Sequence, residues 1–85
     1  MAVVVFDADV LIGFLNRDDA HHAEAVRRVR GALAPGSRRQ VCAVNYSEVL
    51  IGPLRRGRAD VVRRMIERLG IAVVPVDAAL AERAA

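Results

Sequence analysis

The chain has 85 residues, 54% hydrophobic and 27% charged, with thirteen arginines, no lysine and a formal net charge of +3. That balance excludes disordered, collagenous and coiled-coil chains and leaves room for one small globular domain at most. The charge permits an acidic partner such as nucleic acid or an acidic peptide without demanding one. Cys42 is the single cysteine, so no intrachain disulfide can form and nothing points to an oxidising compartment. The apolar run Ala2–Phe6 stops at Asp7 and has no basic region before it, so it reads as neither signal peptide nor membrane span. A soluble, cytoplasmic unit is expected.

In chain order, Ala2–Phe6 is a continuous apolar, β-branched run, the mark of a strand buried on both faces. Asp9 is placed to cap a short helix through Leu15, which Asn16-Arg17-Asp18-Asp19 ends, and Asp19 to cap a second. There Ala23, Val26, Val29 and Leu33 make an apolar stripe, with Glu24, Arg27, Arg28 and Arg30 outside it. Pro35-Gly36-Ser37 is a loop. Val41–Val44 reads as a second strand, followed by Asn45 as the cap of a helix through about Leu54. Pro53 should kink that helix or end it early. Arg58–Leu69 carries apolar residues at Val62, Met65, Ile66 and Leu69, and Gly70 terminates it. Ile71–Val76 is a third strand, interrupted by Pro75 and therefore expected near a sheet edge. Asp77 opens a last helix to Ala85.

The order βααβααβα implies an α/β fold with a parallel sheet covered by helices. Three parallel strands make a thin core. The chain therefore reads as the first part of a longer fold.

Two segments could carry chemistry. The stretch VVVFDADVL delivers Asp7 to the carboxyl end of a buried strand, where open α/β sheets place their ligands. Asp9 follows two residues later, on the turn into a helix. Two carboxylates about 4 Å apart repel by about 4 kcal/mol at an effective dielectric of 20, and a hard divalent cation such as Mg²⁺ or Mn²⁺ would remove that repulsion. The plainer reading makes Asp9 a helix cap and Asp7 a turn residue. The second segment is Asn45-Tyr46-Ser47-Glu48, where Glu48 lies three residues past the cap and fits a capping box. A helix leaving the second strand emerges on the same sheet edge as Asp7, so Glu48 can also face the first carboxylates.

Together these residues resemble the PIN domain, the fold of many bacterial ribonucleases and of VapC-type toxins. The likeness rests on VVVFDADVLIGFLNRDDAHH, VNYSEVLIG and IAVVPVDAALAERAA, with forty-one residues from Asp7 to Glu48. The resemblance implies a three-layer α/β/α parallel sheet, of which residues 1–85 form the N-terminal portion of a single domain. Asp7 matches the first family carboxylate and Glu48 the second, and Asp9 a position taken by Ser, Asn or Asp. It further implies a metal-dependent ribonuclease in which Asp7 binds Mg²⁺ or Mn²⁺, Glu48 binds metal or positions water, and Asp9 assists. RNA is then the substrate and an antitoxin protein the partner. Further family acids fall past residue 85, so weak or absent activity is expected of this chain alone. The resemblance also puts the first strand in the middle of the sheet, so Ala2–Phe6 is expected to be an exposed edge and the chain a homo-oligomer.

Other residues read more plainly. His21 and His22 are surface or packing residues, although a metal site with Asp18 or Asp19 is conceivable. Arg38-Arg39 and Arg55-Arg56-Arg58 are solvated faces first and contacts to RNA phosphates or acidic antitoxin groups second. Cys42 is inert core, and Tyr46 could stack on a base. The segment FDADVLI is also similar to the haloacid dehalogenase phosphatases, which require Thr where this chain has Leu11. A third alternative is an inactive fragment that retains only antitoxin-binding surface.

Overall fold

The computed structural model describes residues 3–76, and the helix expected over 77–85 lies outside the described residues. The elements are β1 (Val3–Phe6), α1 (Ala8–Leu15), α2 (His22–Ala32), β2 (Arg38–Cys42), α3 (Ala43–Arg55), α4 (Ala59–Arg68) and β3 (Ile71–Val74). The three strands are parallel in the order β1-β2-β3, with Phe6 beside Val41 and Val41 beside Val73. Each strand steps to the next in the same direction, so right-handed crossovers carry both helix pairs over one face of the sheet. Burial agrees. Phe6, Val41 and Ile71 point to that face and pack with Leu11, Val29, Val49, Leu50, Val62 and Ile66. Val3 and Val5 alternate to the other face and stay 52% and 48% exposed. The described residues thus supply a helix layer and a sheet layer of the expected α/β architecture. β1 forms one edge of this sheet, and β3 forms the other, as Pro75 foretold.

Several element boundaries differ from the sequence expectation. β2 begins at Arg38, three residues before the expected Val41, and ends at Cys42. Its polar start hid it. Arg39 is tolerated on the covered face because its Nε donates to the Leu69 carbonyl at 2.7 Å and its Nη1 to the Ala32 carbonyl at 3.1 Å. Those carbonyls end α4 and α2, where backbone acceptors lack helical partners and the helix dipole favours a cation.

The helix starts shift as well. Asp7, rather than Asp9, caps α1. α2 opens at His22, and Asp19 instead accepts the His21 N–H at 2.8 Å in the preceding turn. Cys42 caps α3, its Sγ accepting the Asn45 N–H at 3.5 Å, so Asn45 is no cap and the capping box with Glu48 does not form. α2 buries Ala25, Val29 and Ala32, leaving Val26 half-buried and Ala23 and Leu33 exposed. Its inner stripe is small because α1 comes close at Gly13, where an added Cβ would lie 3.3 Å from the Ala25 Cβ. On α4, Ala59, Val62 and Ile66 are the buried residues, while Met65 is exposed.

α3 runs two residues past Pro53 before it ends. Its end is a Schellman turn: Arg58 N–H donates to the Pro53 carbonyl at 2.7 Å and Gly57 N–H to the Leu54 carbonyl at 3.2 Å. Gly57 sits at φ +69°, the left-handed region where a side chain is strained.

If Arg39 holds the helix ends as described, Arg39→Met should lower unfolding free energy by about 2 kcal/mol, since hydrogen bonds to charged donors are worth roughly 1.5–3 kcal/mol. Arg39→Lys should not rescue it, because a single ammonium lacks the planar fork that serves two carbonyls. Urea unfolding measures both, and a loss below about 0.5 kcal/mol for Arg39→Met would contradict the assignment.

Candidate active site

Asp7 stands directly after β1, at the carboxyl end of the sheet. Its extended backbone and side chain start α1: Oδ1 accepts the Val10 N–H at 2.9 Å. The other carboxylate oxygen has no protein donor among the described residues, and Asp7 as a whole is exposed. Asp9 lies in the first exposed turn of α1, where a negative charge complements the helix dipole. The register that sets Phe6 beside Val41 brings Cys42 level with Asp7, so the starts of α1 and α3 are neighbours at this end of the sheet.

Asp7 and Asp9 line one cavity of about 320 Å³. The same cavity is lined by Asp19, His21, Glu24 and Arg28, because α2 returns alongside α1. His22 fixes that return, its Nδ1 lying 2.7 Å from the Gly13 carbonyl. Glu24 is paired with Arg28 at 3.0 Å. Residue types alone mark Asp19 as a cap or as a ligand beside His21 and His22, and assign Glu24 and Arg28 no part in the site. The available signal was the short connection between two helices, which forces them antiparallel.

Glu48 is placed differently. It is exposed in the second turn of α3 and lines a separate cleft of about 730 Å³, together with Asp18, Arg56 and Arg58. Ile12 lines both hollows, so they adjoin. The structure therefore joins Asp7 with Asp9 and puts Glu48 on the other side of Ile12. Leu11, where phosphatase chemistry of the haloacid dehalogenase kind needs a hydroxyl, is fully buried in the core. Tyr46 packs against the same core, half-buried.

The PIN domain family model matches residues 4–85. The chain belongs to the PIN domain family. No curated protein and no solved structure gives a match. PIN domains are generally nucleases that use Mg²⁺ or Mn²⁺. Among the described residues, no three His, Cys, Asp or Glu side chains gather closely enough to hold a metal ion together. The donors in the Asp7 cavity fit a looser arrangement, since Mg²⁺ keeps several waters and takes one or two hard carboxylates. No helix among the described residues is long and apolar enough to cross a membrane.

The capping bond gives Asp7 a structural duty that can be separated from any chemical one. Asp7→Ala should cost about 1 kcal/mol of stability, the usual loss for an N-cap, whereas Asp7→Asn should be nearly neutral because Asn caps equally well. Thermal or urea unfolding of the two variants checks this. Equal losses for both would remove the cap from the account.

Proposed function

We propose that this PIN domain is a metal-dependent ribonuclease of the VapC toxin type, with Asp7 at the centre of its site. The observation that carries this reading is the placement of Asp7: a strand-end carboxylate with one oxygen bonded to Val10 N–H, lining a cavity shared with Asp9. The capping bond fixes the side-chain rotamer, so the free oxygen is held in place before any ligand arrives. Mg²⁺ or Mn²⁺, when bound, would supply an activated water and neutralise charge on the leaving oxygen of a phosphodiester. Asp7 would hold the ion through that free oxygen and Asp9 would assist from the first turn of α1. Glu48, reached past Ile12, would orient water or substrate from the adjoining cleft. RNA is the proposed substrate and an antitoxin protein the proposed partner in the cytoplasm. A second copy of the chain is a further proposed partner, for which the exposed Val3 and Val5 on β1 are the support.

Two measurements test this reading. By calorimetry, Asp7→Asn should weaken Mn²⁺ affinity at least about tenfold, the order of loss seen when metal-site groups are disturbed. Asp60→Asn, whose carboxylate is paired with Arg63 on α4, should not. Equal affinities in the two variants would sink the metal assignment. The full gene product should cleave single-stranded RNA in an EDTA-sensitive way, and Asp7→Asn should slow it by at least about 100-fold while leaving the fold intact. Undiminished cleavage would overturn the mechanism.

The proposed self-association has its own check. Static light scattering should show more than one chain per particle at high concentration. A stable monomer would remove that partner.

A further inference from the structure

The cleft that holds Glu48 carries a second feature. Glu48, Gly52 and Arg56 succeed one another at four-residue spacing, which puts them in one row along α3. The middle position has no side chain. A Cβ built on Gly52 would lie 3.5 Å from both Nη1 and Nη2 of Arg56, so the guanidinium is folded back over the bare turn toward Glu48. Helical side chains lean toward the N-terminus, which makes this the natural course for Arg56. Arg58 lines the same cleft from the start of α4. The two arginines flank Gly57, and the Schellman bonds at 2.7 and 3.2 Å fix the backbone that carries them.

Among the described residues, neither guanidinium makes a side-chain hydrogen bond or an ion pair. The side-chain hydrogen bonds of arginine there belong to Arg28, Arg39 and Arg63, and the ion pairs are Arg28–Glu24 and Arg63–Asp60. Asp18 and Glu48 line the cleft too, yet neither pairs with Arg56 or Arg58 there. Opposite charges thus stand apart across open space instead of neutralising one another. Guanidinium donors match phosphate oxygens in a planar fork, and the apolar lining from Ile12, Val61 and Met65 offers contact to sugar and base.

We infer that Arg56 and Arg58 form a subsite for backbone phosphates of a single-stranded nucleic acid, with Arg56 lying across the turn at Gly52. The inference rests on the ribonuclease reading and states where the strand runs: through the cleft of Glu48, past Ile12, to the cavity of Asp7. It is scored by binding, which needs no cleavage.

The test is fluorescence anisotropy with a labelled, mixed-sequence single-stranded RNA in EDTA, over a series of salt concentrations. Arg56→Ala and Arg58→Ala should each weaken binding about tenfold at low salt. Each should also reduce the slope of log affinity against log salt by about 0.7, the value for one phosphate contact on a single strand. Gly52→Leu keeps both charges but fills the row, and should weaken binding as Arg56→Ala does, with circular dichroism confirming the helix. Arg27→Ala, which removes an equal charge from the exposed face of α2 outside the cleft, should leave affinity and slope unchanged. Cleavage is scored separately, so failure of the catalytic reading registers in cleavage and failure of this subsite registers in binding. An unchanged slope in the Arg56→Ala/Arg58→Ala double variant would overturn the subsite, as would absence of RNA binding by the parent protein. Loss of binding to a poly-glutamate peptide with RNA binding intact would identify a protein-docking surface instead, and would overturn it as well.

Discussion

The guanidinium of Arg39 gathers the carbonyl ends of α2 and α4 onto the central strand. Both helices deliver the chain to the foot of a strand, α2 to β2 and α4 to β3, so anchoring their ends also anchors the sheet's lower edge. The rest follows from that edge. With the feet of the strands fixed, the register sets Phe6 beside Val41 at the opposite end, and the starts of α1 and α3 come level there. Gly70 completes the arrangement. Its left-handed φ of +66° turns the chain from α4 into β3, and an added Cβ would sit 2.9 Å from Arg39 Nη2. Conformation is what calls for glycine there, and an added Cβ would also press on the far end of the Arg39 side chain.

Much of this fold could be read from the sequence because local signals agreed with tertiary demands. The apolar run before Asp7, the helix terminator Gly70 and the edge-marking Pro75 each state their role within a few residues. What could not be read depended on partners far along the chain. Arg39 looks like a loop residue until Ala32 and Leu69 supply acceptors, seven and thirty positions away. Asn45 and Glu48 present a sound capping box, yet the strand ends early enough for Cys42 to take the cap first. The α2 stripe was misjudged because large apolar residues were expected to face inward. The close approach at Gly13 selects Ala25 instead.

The candidate site divides along the same line. Asp7 and Asp9 were legible because a strand-end position needs only the strand to be recognised. That Asp19, Glu24 and Arg28 share their cavity depends on how two helices return past one another, which residue spacing alone does not give. Glu48 was expected to face the same carboxylates, but it lines a separate cleft that shares only Ile12 with the cavity of Asp7. Ile12 is 37% exposed, so its volume is a boundary between two hollows rather than part of the packed interior.

The simple strand order has a consequence for the chain during synthesis. Each strand pairs with its immediate predecessor, so the sheet can grow in the order in which residues leave the ribosome. Phe6 waits 41 − 6 = 35 residues for Val41, and Val41 waits 73 − 41 = 32 for Val73, two nearly equal intervals. At ordinary elongation rates of about 5–20 residues per second, each interval lasts roughly 2–7 seconds. Helices form in well under a millisecond. α1 and α2 therefore have time to form and pair before β2 arrives, and β1 spends those seconds as a nascent apolar strand with only that hairpin to shelter it.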